Sequence, residues 1–394
     1  MLGRSRRGLR TVGDFNDFLH GLRSRELARL PRDARTVVHG GAAGSWYFDW
    51  FADWYPTPVR RHIGVEAFAS RPAKLHADVE WLERSLGDLE PVGDGDADLV
   101  FAGQVVEHLW PDEIGGFLLE SHRVLRRGGT LAMDSPNRRV TTAIGWEHPE
   151  HTVEFRGDEM LDLVTLAGFD RVRVRGIWLC FDRQRNRFLP LDASPRTIPT
   201  EQRIAAAAGR PEDSFVWWLE AERGDAEPDR ERLTKQVRKI YERYRAYRFS
   251  RLKHSVGSVS GVGSDRVVAA RAREAGHLLF GPYVPMRPGS WSARFRLAAG
   301  PGHVSGPFGL VDIAAGSGGE VVVRKELTEE SLPLDGVLHE VSVPFVLDRT
   351  ELSVEFRAQS YGAVPMSAVL HVDVEREEPA ADARHDHRVE TARA

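Results

Sequence analysis

Glu107, His108, Asp134, His148 and His151 stand out in this 394-residue chain as residues able to move a proton. A neutral imidazole accepts a hydroxyl proton near pH 7, which favours His151 as a base, with His108 and Asp134 as the other candidates for catalysis. Asp134 reads better as a structural cap or as a hydrogen bonder in a pocket. A second group of residues is suited to holding a ligand. His39-Gly40-Gly41-Ala42-Ala43-Gly44-Ser45 follows the apolar run Thr36-Val37-Val38, and a glycine-rich strand-to-helix turn lets backbone approach a ligand and aims helix N–H groups at it. Glu66 ends another short run, His62-Ile63-Gly64-Val65-Glu66, 25 residues beyond Gly41. A carboxylate there can accept both hydroxyls of a ribose.

The elements that must position these groups are legible around them. From Asp98 to Asn137 the chain reads as strand, acidic turn, helix, Gly-Gly turn, strand and Pro-Asn exit. Leu99, Val100 and Phe101 suit a parallel strand buried on both faces, and Phe117, Leu118, His122 and Leu125 recur at helical spacing before Gly128-Gly129. Val105 to Leu109 then falls just past the carboxyl end of a strand, where open α/β sheets place their ligands. Phe169 to Leu179 alternates as an edge strand does, and Ser214 to Glu222 is a second strand-like run, so the two predict an antiparallel pair. The long connection over 180–213, broken by Pro190, Pro195 and Pro199, is a candidate wall of a substrate pocket. A helix is predicted over 14–30 before the first strand and another over 157–168.

These residues together resemble the class I S-adenosylmethionine-dependent methyltransferases, in the branch with EHL after strand 4 and PN after strand 5. The likeness covers roughly residues 35 to 222 and implies an α/β Rossmann-like sheet. It implies S-adenosyl-L-methionine as cofactor, held by Gly41, Ala43, Glu66, Asp78, Val79 and Gln104. Two departures stand in the glycine turn. His39 replaces the usual acidic residue, and Ala43 and Ser45 stand where the family has its later glycines, so a turn of different shape is expected. His151-Thr152-Val153-Glu154-Phe155 resembles the family's H-x-x-E/Y-F element, which brings a histidine over the pocket. In ubiquinone-biosynthesis O-methyltransferases a Glu-x-x-Glu-His element accompanies a divalent cation. This chain has Gln104 at the first of those positions, so the expectation is no metal.

Composition points to an intracellular enzyme. The 41% hydrophobic content suffices for two or three cores, and the single cysteine, Cys180, excludes an intramolecular disulfide framework. The basic start MLGRSRRGLR has no apolar core behind it and no long apolar run occurs, so neither a signal peptide nor a transmembrane segment is expected. A net charge of −4 implies no nucleic-acid partner, and a cytoplasmic protein is expected. The domain reading is a helical cap over 1–34, the methyltransferase-like domain over 35–225, a basic amphipathic linker helix over 226–254, an all-β sandwich over 255–375 and a disordered tail over 376–394. In the linker helix Leu233, Val237, Ile240, Tyr244 and Tyr247 form a stripe that predicts packing on a neighbouring domain. A homodimer, or a basic face held against the inner surface of a membrane or a phosphate-bearing substrate, are the sharper alternatives. The two histidines of the tail, His385 and His387, are too few for a metal claim.

Six strand-like runs lie between Ser290 and Val374, separated by Gly- and Pro-containing turns. This part resembles sandwich domains similar in plan to carbohydrate-binding modules. Tyr283, Trp291 and Tyr361 are its candidate sugar platforms, although Trp291 shares its face with Phe295 and reads as core. The expected function is O-methylation of a sugar hydroxyl, in a bacterial glycan or its lipid- or nucleotide-linked precursor. The alternatives are methylation of a small phenolic or lipid-like metabolite, and a non-catalytic scaffold that binds glycan.

Overall fold

The computed structural model describes residues 12–377 apart from 32, 56, 147, 149–150, 193–197, 245–247, 250–251 and 262–265. Pro195, Tyr247, His385, His387 and the side chain of Tyr244 lie outside the described residues. The chain divides into two compact units, Met1–Ala246 and Tyr247–Ala394.

In the first unit, helix α1 (Val12–Leu27) precedes strand β1 (Thr36–Gly40), α2 (Ser45–Trp54), β2 (Arg61–Glu66), β3 (Val79–Glu83) and β4 (Ala97–Gly103). A 3-10 turn over Val106–His108 leads into α3 (Pro111–Val124), β5 (Leu125–Pro136), α4 (Arg138–Ala143) and α5 (Gly157–Leu166). β6 (Phe169–Leu179), the short β7 (Phe181–Asp182) and β8 (Arg187–Phe188), α6 (Thr200–Ala208), β9 (Ser214–Arg223) and α7 (Arg230–Tyr244) complete the unit. The sheet order is β3-β2-β1-β4-β5-β9-β6. The five strands from β3 to β5 are parallel, and β9 pairs antiparallel with both β5 and β6. The order reverses at β1, so the carboxyl ends of β1 and β4 flank the crevice where such sheets hold ligands. Both predicted strands of the antiparallel pair form, with β6 at the edge.

Leu99 and Phe101 in β4 are buried because the sheet is covered there. Phe15, Leu19, Leu22 and Leu27 of α1, Trp50 and Phe51 of α2 and Tyr55 just after it join them in one apolar cluster. Within the 180–213 connection, β7, β8 and α6 form among the described residues. Buried Arg203 of α6 donates to the carbonyls of Leu179, Asp192 and Pro190 and lies over the Trp178 ring, 3.8 Å from its centroid. α7 buries Leu233, Val237, Ile240 and Tyr241 and packs on α3 and α5. The basic helix thus spans Arg230–Tyr244 and spends its apolar stripe inside the first unit. None of the described helices is long and apolar enough to cross a membrane.

The second unit is all-β, two antiparallel sheets of six and five strands. All six predicted strands form, each one to four residues longer than predicted, and the one predicted from Phe308 begins at Gly309. Shorter strands at Arg248–Phe249, Ser258–Ser260, Val267–Ala270, Gly276–Leu279 and Pro282–Met286 were not predicted. Rings from the two sheets meet at Phe345 and Phe356, 6.2 Å apart. Trp291 is fully buried, whereas Tyr283 and Tyr361 are 37% and 39% exposed, so only the two tyrosines remain accessible.

One core feature carries a pH dependence. His39 of β1 is fully buried among Tyr47, Phe48, Phe51 and Phe101, stacked at 5.6 Å on His62 of β2, and neither of its ring nitrogens has a hydrogen-bond partner. Burial, with smaller contributions from His62 and Arg23, holds its pKa well below 6.5. Burial likewise lowers His62 to about 4, against the opposing charge of Asp78. Both rings are neutral when folded, while the unfolded chain protonates them as pH falls through about 6.5. The unfolded state then binds more protons, so stability drops between pH 6.5 and 4 by up to about 1.4 kcal/mol per pH unit for each ring. Urea midpoints of the full chain at pH 7 and pH 5 should differ less in His39→Phe than in the parent. An unchanged difference would show that His39 does not titrate this way.

Candidate active site

The site lies at the carboxyl ends of β1, β2, β4 and β5. Gly41 leaves β1 with φ +67°, and a Cβ there would overlap Cγ2 of Val105, so this position requires glycine. Ala43 and Ser45 are not among the positive-φ residues, so the turn keeps glycine at the one of these three positions that needs it. Gly44 caps α2 without a side-chain hydrogen bond, and the first turn of α2 holds no acid. Those backbone N–H groups are therefore suited to a polar or anionic ligand end. Glu66 ends β2, nearly buried, with Oε1 accepting from the Phe68 N–H at 2.8 Å. One carboxylate oxygen is thus committed to the turn. Asp78 is exposed just before β3, which opens with buried Val79.

Gln104 follows β4 with φ +59°, an uncommon backbone conformation for a residue with a side chain. Its N–H donates to the Asp134 carbonyl at 2.9 Å and its Nε2 to Asp134 Oδ2 at 2.7 Å, tying the ends of β4 and β5 together. Asp134 is fully buried, and both its oxygens accept from Arg23 of α1, at 2.6 and 3.0 Å. A carboxylate engaged in that way anchors rather than abstracts protons. The sequence reading lacked Arg23.

His151 and His108 come together for a backbone reason. The N–H groups of Thr152 and Val153 donate to the Glu107 carbonyl at 2.7 and 3.3 Å, and the Thr152 hydroxyl donates to the His108 carbonyl at 3.1 Å. The segment is held elsewhere by Arg138 on the Glu154 carbonyl at 2.5 Å and by the Trp217 indole on the Phe155 carbonyl at 2.9 Å. The His108 and His151 rings then meet edge to face at 4.8 Å, and His148 stacks on His151 at 4.3 Å. Half-buried Trp146 lies 5.6 Å from the His151 ring and 5.4 Å from that of Phe215.

Two carboxyl groups complete the cluster. His151 Nδ1 is 2.8 Å from Glu154 Oε1, while Glu154 Oε2 accepts from the Thr141 hydroxyl. Burial lifts the pKa of Glu154 to about 7, against the Thr141 hydroxyl, Arg138 and His148. Glu107 is fully buried, with no hydrogen bond of good geometry to either oxygen. Burial raises it to about 8; its own N–H and the Ser135 hydroxyl pull down, and Asp134 adds to the rise. Glu107, His108 and His151 each offer a ligand atom within 4.8 Å of the others. Sequence reasoning placed Glu154 only as a letter of a motif, and nothing in the spacing announced its bond to His151.

Residues 44–133 match the sequence profile of a methyltransferase domain family. A "Probable S-adenosylmethionine-dependent methyltransferase" of Mycolicibacterium smegmatis is 32% identical over 149 residues, covering 36% of this chain and 55% of that protein. Another protein so described, from Mycobacterium tuberculosis, is 32% identical over 181 residues, covering 43% and 63%. The chain therefore spans less than two thirds of each of these relatives. A solved methyltransferase of Archaeoglobus fulgidus superposes with a TM-score of 0.38 at 15% identity, covering 52% of this chain and 93% of that one.

Proposed function

We propose, from the premise that residues 44–133 form a class I methyltransferase domain, that the chain is an S-adenosylmethionine-dependent O-methyltransferase whose acceptor is a sugar hydroxyl. The observation that carries the reading is the cluster of His108, His151, Glu107 and Glu154 at the carboxyl end of β4, beside the Gly41 turn. When bound, S-adenosylmethionine supplies a methyl group on a sulfonium. On the cofactor side, Gly41 and Ala43 bring backbone close, the open first turn of α2 faces the polar end, and Glu66 takes the ribose hydroxyls. Asp78 and Val79 border the adenine, and Gln104 lines the β4 side. On the acceptor side, His151 and His108 activate the hydroxyl, and the rate arises from holding its oxygen in line with the methyl group in a site closed to water. Trp146 offers an aromatic face for a sugar ring, and the exposed Tyr283 and Tyr361 of the second unit support a glycan acceptor.

The reading is tested by offering the full chain labelled cofactor with an oligosaccharide extract and with phenolic acceptors, and seeking products one methylene heavier by mass spectrometry. Methylated phenols without methylated sugars would move the acceptor class to the small-metabolite alternative. For the cofactor half, Glu66→Ala removes charge-assisted hydrogen bonds to the ribose. Affinity for S-adenosylhomocysteine, measured by calorimetry, should fall at least about tenfold. Unchanged affinity would remove Glu66 from the site, and no binding by the parent chain would remove the cofactor.

A further inference from the structure

We infer that Glu107, His108 and His151 form a binding site for one divalent cation, in the acceptor side of the site proposed above. Their three ligand atoms lie within 4.8 Å of one another. Two donors on opposite sides of an ion, each at roughly 2.1 Å, are about 4.2 Å apart, so a small side-chain rotation brings this set onto a metal. The residues come from two distant segments, yet their main chains are bonded to each other through Thr152 and Val153, which fixes the geometry before any ion arrives.

Glu107 gives the second, independent observation. Its side chain is fully buried and aimed into the cluster, and neither oxygen has a hydrogen bond of good geometry. A buried carboxyl left in that state is costly, and a cation supplies the missing interaction. A third observation concerns His151, whose Nδ1 lies 2.8 Å from Glu154 Oε1. A carboxyl group against one nitrogen of a histidine is the contact that orients a ligand ring in carboxylate–histidine–metal arrangements. Gln104, whose type argued against a metal, is not needed, because His151 from the later loop supplies the third ligand. Two imidazoles with one carboxylate favour a transition ion over magnesium or calcium and leave positions open for oxygens of the acceptor.

The inference rests on the proposed reading only for the role of the ion, and the test separates the two. The full chain is stripped with EDTA, returned to metal-free buffer and titrated with Mn2+, following free Mn2+ by electron paramagnetic resonance, with Zn2+ and Mg2+ as competitors. S-adenosylhomocysteine affinity is measured on the same samples. We expect about one equivalent of Mn2+ at micromolar affinity, displaced by Zn2+ more readily than by Mg2+. Glu107→Gln and His108→Ala should each weaken it about 100-fold, with cofactor-product affinity retained as evidence that the fold is intact. Absence of stoichiometric binding by Mn2+ and Zn2+ in protein that still binds S-adenosylhomocysteine would overturn the site, as would binding that survives these substitutions. A bound cation without S-adenosylhomocysteine binding would leave the site standing and sink the methyltransferase reading instead.

Discussion

Arg23→Met should lower the stability of the first unit by about 3–5 kcal/mol, the usual consequence of removing one partner from a buried ion pair. Arg23 and Asp134 are both buried, and the guanidinium spans both carboxylate oxygens at 2.6 and 3.0 Å. Without Arg23, Asp134 keeps the Gln104 amide at 2.7 Å but no positive charge. The packing beside the pair is tight, since a Cβ on Gly103 would overlap the Arg23 guanidinium. Arg23→Met combined with Asp134→Leu should recover most of the loss, because the cost lies in the unpaired charge rather than in the missing bond. Chemical denaturation monitored by tryptophan fluorescence reads the effect. A single variant within about 1 kcal/mol of the parent would mean that water reaches Asp134, and that α1 does not close this end of the sheet.

The contrast between Arg23 and β4 shows what a sequence makes visible. Leu99 to Phe101 reads as a parallel strand because burial on both faces requires an unbroken apolar run, a local signal. The α1 stripe of Phe15, Leu19, Leu22 and Leu27 is equally local and identifies a helix. Arg23 sits on that same helix with its partner 111 residues away, and no period encodes such a pairing. The stripe of Leu233, Val237 and Ile240 was readable for the same reason as α1, but its partner surface on α3 and α5 was not. In the second unit, strands with clear alternation such as Ser290 to Leu297 were legible. Val267–Ala270 and Gly276–Leu279, four residues each, are too short to show a period and owe their conformation to their neighbours in the sheets. At the site, Gly41 and Glu66 were visible because chain direction at a strand end limits what can stand there. His151 was visible as a residue type, whereas the bond from its Nδ1 to Glu154 depends on a non-repeating loop conformation.

That loop is where the largest kinetic effect is expected. His151→Ala should lower turnover by about 10²–10⁴ while leaving S-adenosylhomocysteine affinity within a few-fold, because in the proposed reaction its ring acts on the acceptor side. Glu154→Gln should cost less, about 10–100-fold, since the amide keeps a hydrogen-bonding oxygen near Nδ1 while losing the negative charge. Glu154 is a positioning residue in this scheme: it contacts His151 at 2.8 Å and Thr141 through its other oxygen. If it only braced the loop, Glu154→Gln and Thr141→Val would lower stability and leave turnover per folded molecule unchanged. If it orients His151, turnover falls in Glu154→Gln at unchanged melting temperature, and a second change at His151 adds little, because the two residues act as a unit. Single-turnover rates for the two single variants and the double variant decide it. Losses in the double variant that multiply would show that His151 and Glu154 work independently.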